Sequence, residues 1–168
     1  EIQKNGGDRS REALEVLRPK SGQPYFTDSQ GGAWRLYPFV EHTICYQSAE
    51  TPELFAASGR AFGRFQKLLR DYPADTLYET IPHFHDTEDR LSKLKAAIEA
   101  DPLGRAAGCQ PEIQFMLERE TDCSVALSAL RAGTLPLRVT HNDTKLNNVL
   151  MDDKTGEGVC IIDLDTVM

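Results

Sequence analysis

The C-terminal stretch of the chain constrains its fold more than any other part. Two short apolar runs, 149–151 and 159–162, are joined by the segment 152–158, which is rich in Asp and Gly. This pattern predicts an antiparallel β-hairpin. The polar run 141–148 precedes the first strand, and Asp163 directly follows the second. Because the open ends of a hairpin lie side by side, we expect these polar residues to gather at one edge.

The side chains expected at that edge suit phosphoryl transfer. Asn148 and Asp163 flank the two strands, while Asp143 and Lys145 lie on the loop that enters the hairpin. A few hard oxygen ligands, with room for water or phosphate, are what Mg²⁺ prefers. A carboxylate off the metal can accept a proton from a hydroxyl nucleophile, and a lysine among acids suits a transferring phosphate. Each residue type is also common in ordinary polar turns, so the hypothesis depends on the joint pattern.

The middle of the chain, 51–132, is predicted to be helical. One helix begins with Thr51 as N-cap and Pro52 in its first turn, a second begins at 87 and ends at 101, and a third runs from 111 to 133. Glu120 interrupts the third, so either the helix breaks there or Glu120 has a buried partner. The predicted apolar stripes are Phe55, Phe62, Phe65 and Leu69, then Leu91, Leu94 and Ile98, then Ile113, Met116, Cys123, Leu127 and Leu130.

The first part of the chain, 1–42, is rich in Gly and turn residues. A short helix is predicted within 10–17, followed by a hairpin of strands 24–27 and 33–37. A further short strand is predicted at 137–140. A lone hairpin is barely stable in water, so the strands of this first part require partners.

Composition excludes several classes of function. Nineteen Lys and Arg against 26 Asp and Glu give a net charge of -7, which disfavours a nucleic-acid-coating surface or an anionic-membrane binder. No apolar run has the length of a membrane span, and the first residues do not form a signal peptide. The four cysteines contain no C-x-x-C pair, which indicates reduced thiols in a cytoplasmic protein rather than a zinc or disulfide framework.

The polar string has the spacing of a kinase catalytic loop. His141, Asp143 and Asn148 follow the H-R-D-x-x-x-x-N signature of protein kinases. Together with 161–168 and, more weakly, 81–87, the string resembles the aminoglycoside phosphotransferase and choline kinase superfamily of protein-kinase-like small-molecule kinases. Within that superfamily, it is similar to the N-acetylhexosamine 1-kinase-like branch.

The resemblance implies an α+β, protein-kinase-like, two-lobed fold. Residues 1–42 would be a remnant of the N-terminal lobe with its hairpin and hinge. Residues 43–168 would be a mostly helical C-terminal lobe, carrying the catalytic hairpin and incomplete at its C-terminus. The family's glycine-rich loop and strand lysine would precede residue 1, and further helices would follow Met168. We therefore expect the 168-residue chain to be inactive by itself.

The resemblance also implies the roles of individual residues. Asp143 would be the catalytic base, and Lys145 would neutralise the γ-phosphate of ATP. Asn148 and Asp163 would hold Mg²⁺. His141 would brace the loop.

Two further sets of residues complete this picture. Backbone groups near Phe39 and Val40 would pair with the adenine of ATP, as in the hinge of the family. The H-x-H pair of His83 and His85 leaves three interpretations open: a Zn²⁺ site, a substrate-facing loop, or surface histidines.

Departures from the family pattern limit which regulation and which substrate are expected. The Asp-Leu-Asp at 163–165 replaces the D-F-G of protein kinases, so activation-loop switching does not carry over. Asp165 is either a further metal or outer ligand or a capping acid. Lys145 stands where many antibiotic kinases have histidine, which disfavours an antibiotic substrate.

The expected function is therefore phosphorylation of the anomeric hydroxyl of an N-acetylhexosamine or a related sugar. The alternatives are another acceptor (choline, homoserine or an aminoglycoside), a non-catalytic kinase-like nucleotide-binding module, or an unrelated acidic α+β protein. We expect a small-molecule partner and neither nucleic acid nor membrane, and the oligomeric state stays open.

Overall fold

A computed structural model describes residues 1–168, which form two compact units. The first unit comprises Glu1–Tyr78 and Arg138–Met168, and the second comprises Glu79–Leu137. The structure is α+β, with five α-helices and small sheets. The predicted lobe boundary at residue 42 does not coincide with this division, and the lobes stay a prediction.

A three-stranded antiparallel sheet forms the centre of the first unit. Its strands are β3 (Thr43–Cys45), β4 (Val149–Asp152) and β5 (Gly158–Ile161), in the order β3-β4-β5. The predicted hairpin of β4 and β5 is confirmed to within one residue at each end. Strand β3 was not predicted, because three residues are too few to show an alternating pattern. It pairs with β4, more than a hundred residues later in the chain.

Helix α2 (Pro52–Leu68) packs against this sheet. The Thr51 hydroxyl accepts a hydrogen bond from the Leu54 backbone N–H at 3.2 Å, which confirms the predicted N-cap. The predicted apolar stripe is partly wrong, because the Phe55 side chain is 69% exposed. The inner face is set instead by small residues that allow close approach of the strands. The buried residues of this core are Ala57, Ala61, Phe62, Phe65, Val149, Met151 and Ile161.

The N-terminal part of the first unit carries a short helix and a separate hairpin. Helix α1 (Arg9–Glu12) is shorter than predicted. Strands β1 (Phe26–Thr27) and β2 (Ala33–Trp34) pair antiparallel, which confirms the predicted hairpin in a shortened form. One carboxylate closes its loop: Asp28 accepts hydrogen bonds from the backbone of Gln30 and Gly32, each at 2.8 Å, and from the Trp34 indole at 2.7 Å.

The second unit is helical. It contains α3 (Thr87–Ala100), α4 (Gln110–Leu117) and α5 (Val125–Arg131). The predicted single helix over 111–133 is wrong as one element, because α4 ends at Leu117 and a 3-10 helix at Glu120–Ser124 separates it from α5. Glu120 lies at the surface, 2.6 Å from the Lys95 ammonium. Of the two interpretations of Glu120, the structure thus supports the helix break.

The strand predicted at 137–140 does not form. Only Thr140 makes backbone hydrogen bonds to a neighbouring segment: its N–H donates to Met168 O at 3.0 Å, and Met168 N–H donates to Thr140 O at 3.2 Å. One bonded pair does not extend into a ladder, so the segment is extended but outside any sheet.

No helix in the structure combines the length and the apolar character that crossing a bilayer requires.

Candidate functional site

The open end of the β4–β5 hairpin positions two of the predicted site residues. Val149 is the register partner of Ile161, and the next residues continue the pairing through an Ile162 N–H bond to Asn148 O at 2.9 Å. Asp163 follows at once in the left-handed region, with φ of 59°. Non-glycine residues rarely adopt this conformation. Here it turns the chain out of the strand directly after Asp163.

A short network brings four predicted residues together. Asn148 Nδ2 donates to Asp143 Oδ2 at 3.0 Å and to the Asp143 backbone oxygen at 2.9 Å. The Lys145 ammonium lies 2.8 Å from Asp143 Oδ2 and 4.0 Å from Asp163 Oδ2. The Lys145 ammonium therefore lies between the two carboxylates, and the Asn148 amide holds Asp143 alone, at the hairpin end where these residues were expected to gather.

The charges in this network stabilise one another. The hydrogen bond from the Lys145 ammonium lowers the pKa of Asp143 below its ordinary value, with a further contribution from Asn148, although partial burial acts in the opposite direction. The same bond to Asp143 raises the pKa of Lys145. Both shifts favour the charged forms. At neutral pH the site therefore holds an ionised carboxylate beside a charged amine.

His141 braces the loop from beneath. Its side chain is 1% exposed, and Phe62 and Phe65 contact the ring edge-to-face, with centroid distances of 5.3 and 6.0 Å. Nδ1 accepts the Asp143 backbone N–H at 3.3 Å, and Nε2 lies 2.9 Å from Ile162 O. Since a carbonyl only accepts, these contacts assign the Nε2–H tautomer. The imidazole thus ties Asp143 to the hairpin end without facing the site.

Two residues outside the predicted set also hold the loop in place. Asn142 has a φ of 65°, and its Nδ2 donates to Thr166 O at 2.9 Å. The Thr166 hydroxyl in turn donates to His141 O at 2.6 Å. Asn tolerates the left-handed region better than most residues. That preference was the available sequence signal for Asn142.

The oxygen donors of the site fit a magnesium ion. Both hydrogen bonds from the Asn148 side chain to Asp143 are made by Nδ2, so Oδ1 is the atom that could ligate a cation. The Asp163 carboxylate is half exposed. An amide oxygen and a carboxylate, completed by phosphate and water, match the ligands that Mg²⁺ takes at nucleotide sites.

The histidine pair does not form a metal centre. Nowhere in the chain do three or more His, Cys, Asp or Glu side chains come together in a way that could hold a metal ion. His83 Nδ1 lies 3.2 Å from Asp86 Oδ2, and the Phe84 ring packs beside His85 with centroids 4.5 Å apart. The zinc interpretation of this loop therefore finds no support in the structure.

The residues predicted to border adenine lie outside this network. The Phe39 side chain is 85% exposed, whereas Val40 is buried. The Val40 carbonyl accepts a hydrogen bond from the Thr43 hydroxyl at 2.8 Å. The hydrogen bonds and ion pairs around Asp143 include neither residue, and their contact with adenine stays a prediction.

Asp165 forms an ion pair with Arg35, a contact that the sequence did not predict. It lies inside the 3-10 helix Leu164–Thr166, whose N-cap position is Asp163, so Asp165 does not occupy the N-cap position itself. Its carboxylate is 2.7 Å from the Arg35 guanidinium, and this bond raises the pKa of Arg35. The pair connects the segment after β2 with the segment after β5.

A carboxylate held by an ammonium, beside an amide and a second carboxylate at the end of a hairpin, is an arrangement that suits phosphoryl transfer. Comparison with known families agrees with this assignment: residues 9–168 match the family model of the APH phosphotransferase enzyme family, and the chain belongs to that family. Membership implies a protein-kinase-like fold and ATP-dependent phosphoryl transfer to a small molecule.

Proposed function

We propose that this protein transfers the γ-phosphoryl group of ATP, with Mg²⁺, to a sugar hydroxyl, namely the anomeric hydroxyl of an N-acetylhexosamine or related sugar. The observation that carries the proposal is the contact of Lys145 with both Asp143, at 2.8 Å, and Asp163, at 4.0 Å. In the proposal, Asp143 is the proton acceptor, Lys145 the phosphate-neutralising cation and Asp163 a metal-binding carboxylate, and the short distances between them support these roles.

Asp143 acts on the acceptor hydroxyl. Its contacts with Lys145 and Asn148 both use Oδ2, which leaves Oδ1 to accept a hydrogen bond from the incoming hydroxyl. The lowered pKa keeps this carboxylate ionised. It is therefore a weak base, so its main contribution is to orient the hydroxyl and to receive the proton late, as the transferring phosphoryl group leaves ATP.

Lys145 and the metal-binding pair act on the phosphates. The Lys145 side chain is half exposed, so its ammonium can exchange the Asp143 contact for a γ-phosphate oxygen when ATP is present. Asn148 Oδ1 and Asp163 would hold Mg²⁺, which neutralises phosphate charge when bound. His141 and Asn142 keep the loop in place, because His141 accepts the Asp143 backbone N–H and the Asn142 side chain donates to Thr166 O.

The choice of a sugar acceptor is supported by the sequence resemblance. The string 140–150 and the run 161–168 are similar to the N-acetylhexosamine 1-kinase-like branch, and Lys145 replaces the histidine of many antibiotic kinases. The loop 81–87, which lies in the second unit, belongs to the same resemblance.

The decisive experiment compares wild type with the Asp143→Asn variant. We expect the substitution to abolish ADP release with Mg·ATP and a hexosamine panel, while nucleotide affinity stays within about threefold, since the amide keeps the shape but cannot take up the proton. Turnover is measured on the 168-residue chain and on the complete gene product that contains it. The Lys154→Gln variant, at an exposed turn, serves as the control.

Three results would change the assignment. Unchanged turnover in Asp143→Asn would refute the catalytic role. Activity with choline, homoserine or an aminoglycoside but with no hexosamine would replace the acceptor. Nucleotide binding without turnover in the complete gene product would favour a non-catalytic module.

A further inference from the structure

A cavity lined by basic residues lies at the C-terminal end of helix α2, in the first unit. Its volume is about 310 Å³. The chain as a whole carries a net charge of -7, yet the lining contains four cationic side chains and no acid. The lining residues are Lys4, Asn5, Arg64, Lys67, Leu68 and Arg70.

Two segments that are distant in sequence build this cavity. Asn5 Nδ2 donates to the Leu68 carbonyl at 2.8 Å and thereby fixes the N-terminal turn against the end of α2. Within the turn, Asn5 N–H donates to Glu1 O at 2.9 Å, and Gly7 N–H donates to Ile2 O at 2.8 Å. Lys4 is therefore presented from one wall, and the α2 side chains from the other.

The cations are only partly neutralised. Arg64 pairs with Glu12, Arg70 with Asp71 at 3.2 Å, and Lys4 with Glu1 at 3.4 Å. None of these acids lines the cavity. No ion pair of the structure involves Lys67, although it lies on the same face of α2 as Arg64, three residues earlier.

A helix end alone does not account for this arrangement. Basic residues in the last turn of a helix complement its dipole, which explains the position of Lys67. It does not explain Lys4, which comes from a different segment and lines the same space. Arg138 adds another positive group nearby, since its guanidinium donates to the Arg70 carbonyl at 2.9 Å.

We propose that this cavity binds a small phosphate-bearing anion, such as a phosphate monoester, at a site separate from Asp143. Hydrogen bonds between cationic side chains and phosphate oxygens are among the strongest in proteins, and arginine matches phosphate geometry with a planar fork of donors. The volume lies at the lower end of the range of small-molecule pockets. An extended polyanion does not fit the proposal, because the net negative charge of the chain repels it.

The test is a calorimetric titration of the protein with inorganic phosphate and, separately, with N-acetylglucosamine 1-phosphate. Chloride salt keeps the ionic strength constant. We expect saturable binding that persists in Lys145→Gln, because the proposed site is separate from Asp143. Affinity should fall by about tenfold or more in Lys67→Gln and in Arg70→Gln, because each loses one charge-assisted hydrogen bond. It should be retained in Lys67→Arg, which keeps the charge, and in Lys154→Gln, which removes an equal charge elsewhere.

The outcomes separate this site from the proposed transfer site. If phosphate binding is lost in Lys145→Gln but unchanged in Lys67→Gln, the anion lies beside Asp143 and the proposal is overturned. The proposal would also be overturned if binding is not saturable, or if chloride at the same concentration competes for the site as well as phosphate does. Circular dichroism of each variant confirms that a lost affinity does not come from a lost fold. Because the readout is binding, the result does not depend on whether the protein is an active kinase.

Discussion

Asp143 combines two requirements that oppose each other at the level of a single residue. A carboxylate that orients a hydroxyl has to be ionised before the substrate arrives, but a strongly stabilised carboxylate is a weak base. The Lys145 ammonium at 2.8 Å favours the first requirement and lowers the pKa of Asp143. We infer that the contact is exchanged during the reaction, when a phosphate oxygen replaces Asp143 as the partner of Lys145.

Replacing Lys145 with Met should raise the pKa of Asp143 towards its ordinary value. The folded-state pKa of Asp143 is lowered, so its contribution to stability is present above the unfolded pKa and is lost as pH falls through the folded value. Without the ammonium, the folded and unfolded pKa values of Asp143 come closer together, so this contribution to stability and its pH dependence should shrink. The measurement is a carbon-13 titration of the Asp143 carboxyl group by NMR, with Lys154→Met as control. An unchanged midpoint would contradict the role assigned to Lys145.

At the level of elements, the approach of β5 to helix α2 determines how the site is supported. Gly158 begins β5, and a Cβ atom added there would meet the Ala61 Cβ at 2.4 Å and the Val149 Cγ1 at 3.2 Å. Small residues on both sides thus allow the strand to lie against the helix. The same strand ends at Ile161, two residues before Asp163, so packing at one end of β5 affects the site at the other.

Gly158→Ala should therefore destabilise the protein by about 1–3 kcal/mol, as overpacking of a close contact does. Thermal and urea unfolding of the variant measure this change. Gly59→Ala is the matched control, because Gly59 lies in α2 with no atom near an added Cβ; there we expect a gain of about 0.5–1 kcal/mol. The double variant Ala61→Gly, Gly158→Ala should recover part of the loss. If Gly158→Ala is as stable as wild type, β5 and α2 do not approach as closely as the structure shows, and the prediction is wrong.

Sequence reasoning predicted the elements whose signals are local. The β4–β5 hairpin, the Thr51 cap and the gathering of polar residues at the hairpin end follow from turn chemistry and spacing. The prediction failed where the deciding contact is distant in sequence. Strand β3 is defined by its pairing with β4, and the exposure of Phe55 depends on which face of α2 meets the sheet. The partner of Asp165, Arg35, is 130 residues away, and no local pattern identifies it.

The whole molecule distributes its buried residues unevenly. Of the buried hydrophobic residues, Leu91 alone lies within Glu79–Leu137, and the rest lie in the first unit with the sheet and α2. The second unit instead relies on surface ion pairs such as Arg131 with Glu88 at 2.8 Å and Lys95 with Glu120 at 2.6 Å. Exposed pairs of this kind contribute little to stability, because solvent screens the charges. Stability should therefore be concentrated in the unit that holds the site.

Hydrogen exchange should reveal this difference directly. Backbone amides in a well-packed core open only with global unfolding, whereas helices with little buried apolar surface open locally at lower free energy. In the intact chain we expect peptides covering β4, β5 and the C-terminal half of α2 to exchange slowest, and peptides covering α4 and α5 to exchange at least about tenfold faster, which corresponds to about 1.4 kcal/mol of opening free energy. Mass spectrometry over a time course measures both sets in one experiment.

Addition of Mg·ATP provides the internal comparison, since it should slow exchange around 140–148 and 161–165 and leave α4 unchanged. Equal protection of α4 and β4 without ligand would show that the second unit is held by more than the contacts within it.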